Sequence, residues 1–107
     1  MAVQEISPNY LQQKLTESAE HYFLLDVREP FEYDIAKLQA SRLIPMNQIP
    51  ARLSEIDSDK KVVVICHHGM RSAQVAYFLD QQGIACFNLT GGIDAWARCC
   101  DESMALY

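Results

Sequence analysis

Four consecutive residues, Val62-Val63-Val64-Ile65, are all β-branched and apolar. Branching at Cβ favours extended backbone over helix. A strand with one wet face alternates apolar and polar residues. An unbroken apolar run, here Lys61 to Ile65 after its leading lysine, fits a strand covered on both faces, as in a parallel sheet. Parallel neighbours need crossover connections, usually helical, to bring the chain back to the same edge. The following sequence supplies one: Ala73 to Gln82 is amphipathic, with Val75, Phe78 and Leu79 as its apolar stripe. Ser72 is placed to cap that helix and Gly83 to end it in a left-handed conformation.

The rest of the chain repeats the alternation. Ser7-Pro8 reads as an N-cap with proline at the first helical position, and Leu11 and Leu15 share one face of the helix that follows. Phe23 to Val27 is a short apolar strand candidate. Pro30 reopens a helical turn, with Phe31 and Ile35 four residues apart. Leu43-Ile44 is a brief strand candidate stopped by Pro45. Ile49, Leu53 and Ile56 recur at helical spacing, with Pro50 tolerable in a first turn. Ala85 to Leu89 is the next strand. After the Gly91-Gly92 turn, Ile93, Trp96 and Cys100 line one face of a last helix. Strands alternating with helices predict an α/β domain, and 107 residues suffice for one domain rather than two.

Composition removes several functions. Half the residues are apolar, enough for a core without staples, and the formal charge is −5. No basic stripe exists to neutralise phosphates, so nucleic acid is not expected as a partner. No apolar run reaches the ~20 residues needed to span a bilayer, so no membrane partner is expected either. Met1-Ala2-Val3-Gln4-Glu5 lacks the basic start and apolar region of an export signal, which points to the cytoplasm. In that compartment Cys66, Cys86, Cys99 and Cys100 are expected as reduced thiols.

The chemistry concentrates where the most buried strand meets its helix, in Cys66-His67-His68-Gly69-Met70-Arg71-Ser72. Open α/β sheets gather ligands at the carboxyl ends of their strands. Loop N–H groups, a helix N-terminus and Arg71 converge there on one sulfur, and each favours a thiolate and can hold an anion beside it. Asp26 ends another strand, with Arg28 two residues on. They can serve as supports of the site, Asp26 accepting loop N–H bonds and Arg28 pairing with a carboxylate. The plainer reading, a strand-end salt bridge that holds the fold, is preferred.

Three stretches resemble the single-domain rhodanese family of sulfurtransferases. Leu25-Asp26-Val27-Arg28-Glu29-Pro30 with Glu32-Tyr33 is similar to its N-terminal signature, Cys66-x-x-Gly69-x-Arg71-Ser72 to its active-site loop, and Gly91-Gly92-Ile93-x-Ala95-Trp96 to its C-terminal motif. They stand in family order across about residues 4 to 98, followed by a short tail at 101–107. The resemblance implies one rhodanese domain over residues 1–107, with a mostly parallel sheet of about five strands and helices on both faces. It implies Cys66 as the nucleophile that keeps sulfur as a persulfide. The loop from His67 through His68, Gly69, Met70 and Arg71 to Ser72 would form the substrate cradle, with Arg71 gripping an anionic donor such as thiosulfate.

Cyanide or a thiol would be the acceptor, and no cofactor or metal is implied. The partners would be a small anionic sulfur donor or a protein that gives or takes sulfur. The rival reading is a sulfur-carrier module loaded by a partner. A related phosphatase would use C-x5-R, a loop one residue longer that opens the N–H ring for a tetrahedral phosphate. Cys66 and Arg71 are spaced C-x4-R.

His67 and His68 either line the pocket with partial positive charge or are tolerated loop residues; the second reading is preferred. A metal held by Cys66, His67 and His68 is not expected, because adjacent residues seldom converge on one ion. Cys86 and Cys100 read as apolar contacts and Cys99 as more exposed. The tail Met104-Ala105-Leu106-Tyr107 is apolar enough to pack on a neighbour. Between the first two motifs, Ala36-Lys37 stands where the family often has Gly-His, which leaves a different turn there.

Overall fold

The computed structural model describes residues 3–107; Met1 and Ala2, the start of the segment read for an export signal, lie outside them. Five strands form one sheet: β1 (Gln4–Ile6), β2 (Tyr22–Asp26), β3 (Arg42–Leu43), β4 (Lys61–Ile65) and β5 (Cys86–Leu89). The spatial order is β1-β5-β4-β2-β3 and every pairing is parallel. The β-branched run is therefore the middle strand, and Val62, Val63, Val64 and Ile65 are fully buried.

Alternation across β4 divides the core in two. Val62, Val64 and Cys66 pack with Ile49, Val75, Ala76 and Leu79 on one face. Val63 and Ile65 pack with Leu11, Leu89, Ile93 and Trp96 on the other. The first face is covered by α3 (Met70–Gln81) and a 3-10 helical stretch, Met46–Glu55. The second is covered by α1 (Pro8–Ser18) and α4 (Gly92–Cys100). A shorter α2 (Pro30–Ile35) follows β2.

Ser7 caps α1 as expected, accepting from the Tyr10 N–H at 3.2 Å. Gly83 takes φ +84° just past α3, the left-handed stop its sequence position implied. Ile49, Leu53 and Ile56 lie in and just after a 3-10 stretch rather than an α-helix. Pro50 withholds an N–H there, and Arg52 leaves helical geometry at φ −126°. In α2 the apolar pair Phe31 and Ile35 stays exposed, while Glu32 and Ala36 turn inward.

Strand β1 escaped the sequence reading. Among the described residues it pairs with β5 alone, and polar Gln4 and Glu5 precede its one buried residue, Ile6.

Candidate active site

Cys66 is the first residue beyond β4 and is 1% exposed. Gly69 sits at φ +103°, a left-handed turn that costs a glycine little, and points its N–H back at Cys66 Sγ from 3.0 Å. Helix α3 opens at the next residue, with its positive dipole end at the loop.

The N-cap is Gly69, not Ser72 as the sequence suggested. Ser72 falls inside the first turn, buried, and its hydroxyl lies 3.2 Å from Cys66 Sγ. Ser72 is thus not the cap of α3 but a first-turn residue whose hydroxyl touches the sulfur.

The same hydroxyl meets Asn88 Oδ1. Asn88 Nδ2 donates to the Gly69 carbonyl at 3.1 Å and to the Glu5 carboxylate at 3.1 and 3.3 Å. Both partners are acceptors, which fixes the amide with Oδ1 towards Ser72. One hydroxyl proton then serves Asn88 while the sulfur keeps its own, and can turn to the sulfur when it is a thiolate.

Behind the loop stands α4. The Ile93 N–H donates to the Cys66 carbonyl at 2.8 Å and the Asp94 N–H to the His67 carbonyl at 3.1 Å. Gly92 lets the helix come this close: a Cβ there would lie 2.5 Å from both carbonyl oxygens. The Gly91-Gly92 motif thus holds the loop's backbone.

Asp26 and Arg28 form a fully buried pair. Arg28 Nε donates to Asp26 Oδ1 at 2.9 Å and Nη2 to Oδ2 at 2.7 Å. The remaining N–H groups reach the Glu32 carbonyl, the Ala36 carbonyl and the Tyr107 hydroxyl. Burial opposes the Arg28 charge, yet Asp26 and then Tyr107 together more than offset it and the pKa is raised. Asp26 accepts from Arg28, including its backbone N–H at 3.1 Å, and not from the cysteine loop. This is the strand-end salt bridge of the preferred reading.

Arg71 is engaged. Its Nη1 and Nη2 donate to Glu32 Oε1 and Oε2 at 2.7 and 2.9 Å, a two-pronged pair. Glu32 also accepts from the Glu29 N–H at 3.1 Å, closing a capping box on α2, and from the Tyr107 hydroxyl at 2.9 Å. The Arg71 hydrogen bonds hold the Glu32 carboxyl far down, at about 2, against the opposing effect of burial. Glu32 in turn raises the Arg71 guanidinium.

The tail returns to the site instead of leaving its last aromatic free. The Tyr107 ring stacks on His67, centroids 3.8 Å apart and planes 7° from parallel. Burial, then His68, pushes the His67 pKa down, against the partial positive charge one reading gave it. Its Nε2 is buried and has no hydrogen-bond partner among the described residues. His68 and Met70 are exposed.

His67, His68 and Asp94 bring donor atoms within 4.8 Å of one another. The two rings overlap at 3.9 Å, however, which directs their in-plane lone pairs along separate planes, and Arg98 holds Asp94 at 3.0 Å. These residues fit a metal poorly.

Cys86 is buried in β5, and burial pushes its thiol up to about 11. Cys99 and Cys100 touch at 3.0 Å, and burial with the Cys99 contact pushes Cys100 up to about 12. They sit at the far end of α4 from Cys66, about 10 Å along its axis at 1.5 Å per residue. A cleft of about 530 Å³ lined by Leu15, Tyr22, Leu38, Trp96, Cys100 and Met104 lies on that same side.

Glu32, Asn88, Glu5 and Tyr107 surround the cysteine loop, and the sequence reading offered none of them as a site candidate. Only Glu32 carried a signal, as part of the first motif.

A parallel five-stranded sheet with a cysteine loop closed by a helix N-terminus on its middle strand is the architecture of rhodanese-like domains. The chain belongs to that family, whose profile matches residues 7–99 as "Rhodanese-like domain". A protein of Allochromatium vinosum named "Sulfurtransferase" is 42% identical over 97 residues, 90% of each chain. The Bacillus subtilis protein YtwF is 40% identical over 96 residues, 90% of this chain and 92% of its own. The crystal structure of a rhodanese-like domain protein from Staphylococcus aureus superposes with TM-score 0.84 at 31% identity, covering 98% of this chain and 99% of that one.

Proposed function

We propose that the protein is a sulfurtransferase that carries sulfane sulfur as a persulfide on Cys66. The observation that carries this reading is the cradle on the sulfur: the Gly69 N–H at 3.0 Å and the Ser72 hydroxyl at 3.2 Å, at the mouth of α3. The Cys66 thiolate attacks the outer sulfur of a donor. The donor's S–S bond breaks and its electron pair leaves with the departing group, sulfite if the donor is thiosulfate. The cradle then holds the terminal sulfur until a second nucleophile, cyanide or a thiol, removes it.

His67, His68, Met70 and Arg71 line the approach, and Asp26 with Arg28 stiffens the floor. The chain works as one domain in the cytoplasm, with neither nucleic acid nor membrane as a partner. Among the described residues, no helix is long and apolar enough to cross a membrane.

Incubation with thiosulfate followed by intact-mass analysis should add one sulfur atom, and cyanide should remove it as thiocyanate. The Cys66→Ser variant should do neither. No sulfur on the wild-type protein would refute the reading for that donor.

A second reading, a carrier loaded by a protein partner, is favoured by the two-pronged Glu32 hold on Arg71, which neutralises the charge that a small anion would seek. Rapid loading by a cysteine desulfurase with slow thiosulfate turnover would select it.

A further inference from the structure

The two arginines at the cysteine loop are each neutralised by a carboxylate. Arg28 is committed to Asp26, and Arg71 to Glu32. Glu32 is not a loose surface group that an incoming anion could push aside. It is 5% exposed and takes donors from Arg71, the Glu29 N–H and the Tyr107 hydroxyl.

An inorganic dianion approaching Cys66 would meet a guanidinium whose charge is already balanced by the carboxylate bonded to it. A persulfide on an organic thiol asks for less. It brings at most one charge at the reacting sulfur, which the Gly69 N–H and Ser72 hydroxyl can meet. The rim offers something more to its organic part. Phe31 and Met70, chain neighbours of Glu32 and Arg71, are 66% and 76% exposed.

We infer that Glu32 sets donor specificity, cancelling the Arg71 charge that an inorganic dianion would need and selecting sulfane sulfur carried as a persulfide on an organic thiol. The inference rests on the Cys66 persulfide reading. In the step it describes, the Cys66 thiolate attacks the outer sulfur of R–S–SH and forms a new S–S bond. The donor S–S bond breaks, its electron pair leaves on R–S⁻, and the proton stays on the transferred sulfur.

The test compares thiosulfate with cysteine persulfide as donors, following sulfur on Cys66. In the wild-type protein, kcat/KM for cysteine persulfide should exceed that for thiosulfate by about tenfold or more, from one like charge near the reacting atoms. Glu32→Gln keeps an oxygen for the Glu29 N–H and removes the charge. It should shift the ratio of the two kcat/KM values about tenfold towards thiosulfate, through a lower thiosulfate KM.

Equal use of both donors by the wild-type protein, or an unchanged ratio in the folded variant, overturns the inference alone. If neither donor puts sulfur on Cys66, the persulfide reading falls and takes this one with it. The wild-type comparison stands by itself if the variant does not fold. Persulfidated cysteine desulfurase as a third donor separates the sources: loading faster than from cysteine persulfide assigns the thiol to a protein, slower loading to a small molecule, and either supports the selection.

Discussion

Replacing Gly92 with alanine tests how the loop is held. Gly92 has φ +64°, where an L-residue pays about 1–2 kcal/mol. The added Cβ would also lie 2.5 Å from the Cys66 and His67 carbonyl oxygens, which must move away. Moving them breaks the bonds from the Ile93 and Asp94 N–H groups, each worth about 0.5–1.5 kcal/mol. The sum is about 3 kcal/mol.

Gly83→Ala isolates the first part: φ is +84° and nothing lies within 4 Å of the new Cβ, so about 1–2 kcal/mol is expected. Urea unfolding measures both variants, and iodoacetamide labelling of Cys66 reports the loop. Gly92→Ala should be the less stable and should change the labelling rate; Gly83→Ala should leave labelling as it is. A Gly92→Ala cost no greater than that of Gly83→Ala would refute the account of α4 as the loop's backing.

Three further outcomes are expected. Asp26→Asn leaves Arg28 charged in a fully buried place and should cost about 3–5 kcal/mol in urea unfolding. The Glu32 carboxyl is lower in the folded protein, at about 2, than its ordinary 4.5, so the unfolded chain binds the proton first. Its contribution is complete above about 4.5 and is lost as pH falls towards 2; the wild-type urea midpoint should drop more across that window than that of Glu32→Gln, and parallel profiles would contradict this. Ser72→Ala removes the hydroxyl beside the sulfur and should slow Cys66 alkylation at neutral pH about tenfold, the worth of a hydrogen bond to a charged atom.

Local pattern made the centre of the fold legible. The run at Val62–Ile65 could only be satisfied by cover on both faces, and its neighbours Cys66 and α3 followed from chain order. The Asp26–Arg28 pair was readable because its members are two residues apart on one strand end. What escaped depended on distance along the chain. Glu32 reaches Arg71 across 39 residues, Glu5 reaches Asn88 across 83, and Tyr107 reaches Arg28 across 79. No periodicity encodes such contacts.

Strand β1 was hidden for another reason. An edge strand with one buried residue has no apolar pattern to show. Ser72 misled because serine is a common N-cap, whereas here the left-handed Gly69 ends the loop three residues earlier.

The central claim is that Cys66 is the atom that holds the sulfur. The direct measurement is peptide mapping of protein loaded with cysteine persulfide, with free thiols and persulfides blocked by distinguishable reagents. The account predicts a persulfide on Cys66, absent from Cys66→Ser, with Cys86, Cys99 and Cys100 recovered as thiols. A persulfide found on Cys99 or Cys100 while Cys66 stays a thiol would contradict it.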